Sequence, residues 1–383
     1  MLFAAGVLTV SIWGYLLFGR GGFWRIPPTA PSSLGNEVPA RIAVIIPARN
    51  EADVIGRAIA SLLRQSGQNS IHIFLVDDGS TDGTAQAARE AVTAGQAEML
   101  TVIEGRPLAP GWSGKLWAVH QGIELAREMA PDFFLLTDAD IEHALDSLSS
   151  LVAIAHGGSY DLVSYMVKLF CATPAEKLLI PAFVYFFFKL YPPAWTANPS
   201  KATAGAAGGC ILIRPLALAK AGGIEAIRHE VIDDCALAAR VKRSGGRLWL
   251  GASAATHSIR PYGSFTEIGR MISRSAFNQL HHSGWLLVLS MVGMAVTYLL
   301  PPALLLFSHH ALPAALGAAT WLMMAFSYVP VLRLYRLSPL WAPALPLAAL
   351  FYMGATFHSA WKYWAGQGGK WKGRIQDPGI VKD

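Results

Sequence analysis

The stretch "RIAVIIPARNE", Arg41 to Glu51, sets the reading of the whole chain. Ile42 to Ile46 is a continuous apolar run rich in β-branched residues, the pattern of a strand buried on both faces of a parallel sheet. The run stops at Pro47, and the polar residues Arg49 and Glu51 follow it. From Glu51 the spacing changes. Val54, Ile55, Ile59, Leu62 and Leu63 fall on one face of a helix. The plan then repeats. Ile71 to Val76 predicts a second strand, "DDGSTDG" a turn, and a helix starts near Thr84. "MLTVIEG" and "DFFLLTD" predict a third and a fourth strand. Strands that alternate with helices imply an α/β fold on a mostly parallel sheet. Such sheets bind ligands at the carboxyl ends of their strands.

Three acidic loops fall at those ends. "PARNE" carries Glu51, "VDDGS" carries Asp77 and Asp78, and "TDAD" carries Asp138 and Asp140. Residues i and i+2 of extended chain face the same side, so Asp138 and Asp140 point into one space. One reading is a hard divalent cation bridged to a phosphate. The other is an acidic turn that caps the next helix. An edge with this much negative charge needs cations or hydrogen-bond donors, and Gly79 and Gly83 allow close backbone approach. Carboxylates there can accept from the N–H and O–H groups of a base or ribose. Lys115, in "GWSGKLWAVHQG", either meets a diphosphate or is a solvated lysine that opens a helix. Asp233 and Asp234 precede the helix "CALAARVKRSGG", where they read at least as a cap.

Composition adds a membrane. The 383 residues are 53% hydrophobic and only 15% charged, with a mean hydropathy of +0.38. The three cysteines are scattered, which excludes a disulfide framework and a zinc site. The net charge of +6 suits anionic lipid or a phosphate-bearing ligand. No basic run interleaved with aromatics is present, so nucleic acid is not an expected partner. Residues 1–19 lack charge until Arg20 and Arg25. Without a basic n-region they read as a retained transmembrane helix rather than a signal peptide. Residues 41–282 read as the soluble domain, 285–361 as C-terminal transmembrane helices in three stretches, and 362–383 as a basic tail. Within the domain, residues 178–193 ("LLIPAFVYFFFKLYPP") are too short to span. They are expected to lie in the interface, with a buried core helix as the alternative.

Taken in order, "VIIPARNE", "VDDGSTDGT", "GKLWAVHQG", "TDAD", "GGCILIRP" and "VIDDCALAARVKRSG" resemble the signatures of family 2 glycosyltransferases with the GT-A fold. With its hydrophobic stretches, the chain is most similar to bacterial hopene-associated glycosyltransferases and, more distantly, to ceramide glucosyltransferases. The resemblance implies that Pro47, Arg49 and Glu51 line a nucleotide pocket and that Asp78, with Asp77, binds the base or ribose. It implies that Asp138 and Asp140 hold Mg2+ or Mn2+ against the donor diphosphate, with Asp140 the direct ligand and His257 a candidate third ligand. Gly208 and Gly209 would bring backbone to the acceptor side. Asp234 matches the catalytic base of an inverting displacement, and Asp233 stands where the family usually has Glu. A further membrane-family motif aligns with "EIGRM". Arg270 is kept there, but Glu267 and Met271 replace the usual residues, which argues against a processive polymerase. Arg274 lies one turn on and could share the diphosphate contact.

The expected function is therefore that of a membrane-bound inverting glycosyltransferase. It would move a sugar from a nucleoside-diphosphate sugar to a lipid hydroxyl, with a hopanoid-related acceptor suggested by the resemblance. Carboxylates at the base pocket favour uracil or guanine; the sugar and the oligomeric state stay open. The alternatives are a polyprenyl-phosphate glycosyl synthase and a non-catalytic membrane protein that retains a nucleotide-binding fold. Nucleotide sugars place the catalytic domain in the cytoplasm, at the inner membrane of a multi-pass protein. Arg20, Arg25, Arg333 and Arg336 agree with that orientation. The basic tail agrees only if the stretch from Pro339 re-enters without crossing, and a cytoplasmic tail is the preferred reading.

Overall fold

The computed structural model describes residues 1–26, 39–366, 370–371 and 374–375. Most of the expected tail, including Lys372 and Gln376, lies outside these residues. The described chain forms two compact units. One contains residues 39–169 and 195–260, and the other residues 1–26, 170–194 and 261–366.

The first unit is built on eight strands: β1 Arg41–Ala48, β2 Ser70–Asp77, β3 Leu100–Glu104, β4 Phe133–Thr137, β5 Ile141–Glu142, β6 Leu162–Lys168, β7 Cys210–Ile213 and β8 Leu248–Ser258. Their order in the sheet is β3-β2-β1-β4-β7-β6-β8-β5. β1 pairs in parallel with β2 and β4, and β2 with β3. β7 runs antiparallel to both β4 and β6. The expected α/β fold on a mostly parallel sheet is observed.

Alternation explains why the apolar run of β1 has no polar face. Ile42, Val44 and Ile46 enter one core layer with helices Ile55–Leu63 and Ser147–Gly157. Ala43 and Ile45 enter the opposite layer with helices Gly114–Ala126 and Asp233–Arg243. Each large side chain buried this way contributes about 1.5–3 kcal/mol. Gly122 shows how closely the second layer sits: a Cβ there would lie 2.7 Å from Ile45 Cγ2. The register aligns Ala48 with Asp77, so the loops after β1 and β2 emerge at one edge, beside the end of β4.

The second unit is helical. Five stretches are long and apolar enough to cross a membrane: Leu2–Gly19, Pro174–Ala197, Gly284–Phe307, Ala311–Leu334 and Pro339–Trp364. They pack as membrane helices do, through small and polar residues. A Cβ on Gly317 would meet the Pro301 carbonyl at 2.6 Å. Thr9 and Thr320 hydroxyls lie 3.3 Å apart, and the Tyr185 hydroxyl bonds Ser327 at 2.7 Å. Trp285, Leu306, Phe307, Leu322 and Leu340 point outward and are exposed.

Two expectations change here. The soluble unit does not run unbroken through 41–282, because residues 170–194 and 261–282 fall in the helical unit. The segment at 178–193 belongs to a longer helix, Pro174–Leu190, which starts at a capping box between Thr173 and Glu176. With its continuation to Ala197 it reaches 24 residues, so it is not too short to span. Nor does it lie exposed in a plane. Phe186 and Phe188 are buried, because Phe186 meets Tyr298 and Tyr352 on separate helices. Connectivity nevertheless forbids a single crossing. β6 before this segment and β7 after it are neighbours in one sheet, so the chain must leave and return on the same side of a bilayer.

Candidate active site

The loops after β1 and β2 are tied to each other by short side chains. Asn50, in the left-handed region at φ 53°, donates its N–H to Ser80 Oγ at 2.9 Å and accepts from Thr81 N at 2.9 Å. Glu51 N donates to Thr84 Oγ1 at 2.8 Å. Arg49 donates to the Asp78 and Gly79 carbonyls, and its guanidinium lies 3.7 Å from Asp78 Oδ2. Asp77 Oδ1 accepts from Ser80 N at 2.8 Å and closes the turn. The expected nucleotide-pocket residues are thus brought together, with Pro47 lining the adjoining cleft.

That cleft holds the other carboxylates. Pro47, Lys115, Thr137, Asp138, Gly208, Asp233 and Asp234 line it, with Leu136, Ile211 and Leu237 as its apolar wall. Lys115 Nζ sits 2.9 Å from Asp138 Oδ1 and 3.4 Å from Asp233 Oδ2. It opens the helix Gly114–Ala126, as one reading had it, but it is not a solvated lysine. Burial alone would lower its pKa, yet the carboxylates of Asp138, Asp233 and Asp234 outweigh burial and raise it. Burial pushes the Asp138 carboxyl up; Asp140 and Asp233 push the same way, and Lys115 opposes them only in part.

Asp234 is held from two sides. Its Oδ2 accepts from Gly208 N at 2.8 Å and its Oδ1 from Cys235 N at 2.7 Å. Burial, then the neighbouring Asp233, push its carboxyl from the ordinary 3.8 up to about 6, against Lys115 and the two amides. Gly208 sits close to the charged groups: a Cβ there would lie 3.3 Å from Asp234 Oδ2, tight enough that this carboxylate would have to shift slightly, and 3.5 Å from Lys115 Nζ. The capping alternative for the acidic pair is not realised. Ile232 occupies the cap position with no side-chain bond, and both aspartates sit in the first turn. There the helix dipole favours negative charge. The acidic-turn alternative for Asp138 and Asp140 also falls away, since the next helix begins at Ser147 behind Asp146.

Asp140 has a partner that the sequence reading missed. Ser258 Oγ donates to Asp140 Oδ2 at 2.8 Å, and Arg260 Nε lies 3.5 Å from the same oxygen. Arg260 also pairs with Glu51, so one guanidinium joins the loop after β1 to the loop after β4. Ile259 N donates to Asp140 O at 2.9 Å and fixes that approach. The available signal was a cation directly after a strand in "THSIRPY", facing an edge with a surplus of acid. His257 does not join Asp140. Antiparallel pairing sets it opposite Glu142, and its Nε2 lies 3.9 Å from that carboxylate. Strand alternation turns Ser258 toward Asp140 and His257 away. Arg270 and Arg274 belong to the helical unit, where Arg270 faces Glu267 at 4.0 Å.

Among the described residues no three His, Cys, Asp or Glu side chains are gathered as a metal site. Mg2+ and similar ions need fewer, because water and substrate phosphates complete their octahedron around one or two carboxylates. The oxygen-only pair Asp138 and Asp140 fits that requirement: burial first, and then the neighbouring carboxylates, disfavour charge on Asp138, and a cation there would offset both.

Residues 43–218 match the family described as Glycosyl transferase family 2. The chain is 32% identical over 139 residues to a 4,4'-diaponeurosporenoate glycosyltransferase of Staphylococcus haemolyticus, covering 35% of this chain and 33% of that one. A relative of the same name from Staphylococcus aureus is 33% identical over 100 residues, 26% of this chain and 24% of that one. The matched region therefore spans a third or less of these relatives. A mannosyltransferase from Pyrobaculum calidifontis, solved in complex with GDP-Man and Mn2+, superposes with a TM-score of 0.54 at 19% identity, covering 94% of this chain and 99% of that one. The chain thus has the GT-A fold expected from its sequence, with candidate membrane helices at both ends, and its residues 43–218 match family 2 of the glycosyltransferases.

Proposed function

We propose that this chain is a membrane-bound family 2 glycosyltransferase that moves a sugar from a nucleoside-diphosphate sugar to a lipid hydroxyl, with inversion at the anomeric carbon. The observation that carries the reading is Asp234. It is a carboxylate aimed into a cleft by two backbone amides, with its pKa brought to about 6. A base poised near the working pH is suited to general-base catalysis. The two amides leave lone pairs on both oxygens, since each carboxylate oxygen has two.

In the reaction, Asp234 takes the proton of the acceptor hydroxyl as that oxygen forms its bond to the anomeric carbon. The bond between that carbon and the diphosphate oxygen breaks, and the nucleoside diphosphate leaves with the electron pair. Lys115 holds Asp138 and Asp233 in place beside the base. Arg49, Glu51, Asp77 and Asp78 bind the nucleoside, and Asp138 and Asp140 would hold Mg2+ or Mn2+. When bound, that ion would neutralise charge on the leaving diphosphate.

A lipid acceptor is supported by the apolar helices and by the relatives, which are named as glycosyltransferases of diaponeurosporenoate. A hopanoid or another polyisoprenoid alcohol is the acceptor class proposed. The catalytic unit is placed in the cytoplasm at the inner membrane, where nucleotide sugars are available. The test is to incubate purified protein with a nucleotide-sugar panel and total lipid extract and to look for a glycolipid by mass spectrometry. Nucleotide-sugar hydrolysis with no lipid product would remove the acceptor assignment, and no turnover of any donor would remove the enzyme assignment.

A further inference from the structure

The helix Asp233–Arg243 carries Asp234 in its first turn and the cations Arg240, Lys242 and Arg243 in its last. Arg243 behaves as a cation at a helix end ordinarily does: its Nε donates to Ala239 O of its own helix at 3.2 Å. Lys242 turns away from the helix. Its Nζ donates to the carbonyls of Trp195 at 3.0 Å, Thr196 at 2.8 Å and Thr203 at 2.6 Å. An ammonium has three N–H groups, so the backbone of one distant segment takes them all. Such charge-assisted bonds are about twice as strong as neutral ones.

The segment held this way leads to the base. It reverses at Asn198, whose carbonyl accepts from Lys201 N at 3.2 Å and whose Oδ1 accepts from Ser200 N at 2.9 Å. Trp195 and Thr196 stand on one side of that turn and Thr203 on the other, so Lys242 closes its mouth. From Thr203 the chain runs beside the helix toward its first turn. Ala204 and Ala206 alternate into the core layer that holds Leu237, Ala238 and Val241. Cys235 Sγ donates to Ala206 O at 3.5 Å. Ser164 Oγ, on β6, accepts from Ala207 N at 2.9 Å and donates to Ala207 O at 3.2 Å. Gly208 comes next, and its N–H donates to Asp234. The helix rises about 12 Å from Asp234 to Lys242, and the chain from Thr203 to Gly208 reaches at most about 17 Å. The span therefore leaves little slack. All of these residues belong to the sheet unit.

We propose that Lys242 is a positioning residue for the catalytic base: it fixes the start of the segment Thr203–Gly208, and the segment delivers the Gly208 amide to Asp234 at the far end of the same helix. One helix grips one segment at both ends, and the distance between the grips sets where the amide arrives. Lys242 acts through the backbone and not on substrate. The positioning role rests on the reading of Asp234 as the base, whereas the clamp does not.

The test uses full-length protein in detergent and the variant Lys242→Ala. Its kcat should fall by about 10–10²-fold, the cost of a small misplacement in a reacting site. The donor KM should stay within about twofold, because the loops after β1 and β2 that are proposed to bind the nucleoside are untouched. Propylammonium replaces the atoms removed and should restore kcat by about tenfold, the worth of a charged hydrogen bond. Propyltrimethylammonium has the same charge without N–H groups and should restore nothing. Hydrogen exchange read by mass spectrometry needs no turnover. Peptides spanning residues 203–208 should exchange at least about tenfold faster in the variant, while those spanning residues 42–48 keep their rate. Where Lys242→Ala does not fold, Lys242→Gln carries the same expectations for kcat, KM and exchange. Unchanged exchange over residues 203–208 overturns the clamp. A donor KM that rises as far as kcat falls, or equal rescue by both amines, overturns the positioning role. Exchange that responds while wild type transfers no sugar removes the function reading and leaves the clamp standing.

Discussion

Asp234→Asn should make the protein inactive and, at neutral pH, more stable. The argument rests on the direction in which the cleft shifts the carboxyl. Its pKa rises from 3.8 to about 6 on folding, so the folded state holds this proton more tightly than the unfolded chain. The stabilising effect of the proton is fully present below pH 3.8 and is lost as pH rises through about 6. Above that, the ionised carboxylate costs on the order of 3 kcal/mol relative to its neutral form. Asn keeps the shape, has no charge to desolvate and can still accept from one of the two amides, Gly208 N or Cys235 N, through its one oxygen. Part of the gain is lost with the second hydrogen bond, so a net stabilisation of about 1–2 kcal/mol is expected at pH 7.5. The same change removes the base and should slow transfer by about 10²–10⁴-fold. The assay is a pair of thermal melts in detergent, followed by tryptophan fluorescence at pH 5 and pH 7.5. The variant should melt higher at pH 7.5, and the gap should narrow at pH 5. Wild-type turnover should fall about tenfold per pH unit below 6 as Asp234 takes up its proton. A variant less stable than wild type at pH 7.5, or a gap that ignores pH, would refute the reasoning about the cleft. Near-normal turnover would move the base to Asp233.

Asp140→Ala should weaken nucleoside-diphosphate binding and abolish its dependence on a divalent cation, measured by calorimetry with and without EDTA; wild-type binding that ignores EDTA would sink the metal role of Asp138 and Asp140 together. Arg260→Ala leaves Glu51 and Asp140 without their shared guanidinium and should destabilise the sheet unit by about 1–3 kcal/mol while raising the donor KM, whereas an unchanged melt and KM would make the pair incidental. For topology, Arg89→Cys and Lys201→Cys, in a background without the native cysteines, should resist an impermeant thiol reagent in intact spheroplasts and react together after permeabilisation. Opposite behaviour of the two positions would mean that the helix between them crosses the membrane.

The run Ile42–Ile46, the helical spacing from Val54 to Leu63 and the turn "DDGSTDG" are local patterns. They by themselves determined the strand–helix alternation and therefore which loops share an edge. A period of two or 3.6 needs no distant partner, so the sequence carries it openly. Arg49, Asp77, Asp78, Asp138 and Asp140 were legible for that reason, as residues at strand ends. Only the tertiary structure decided how their charges are met. Arg260 reaches Glu51 across 209 positions, Gly208 presents its amide to Asp234, and Lys115 is clasped by Asp138 and Asp233 rather than solvated. His257 and Ser258 are adjacent in sequence, and strand pairing alone turned the second to Asp140 and the first to Glu142. The same holds for residues 170–194. Their hydropathy is a local property, but β6 and β7 lie side by side in one sheet, and that pairing requires an apolar helix between them to return to the side it left. Ion pairs and membrane crossings depend on which segments become neighbours, and neighbourhood is set by sheet order and helix packing, which no short window of residues contains.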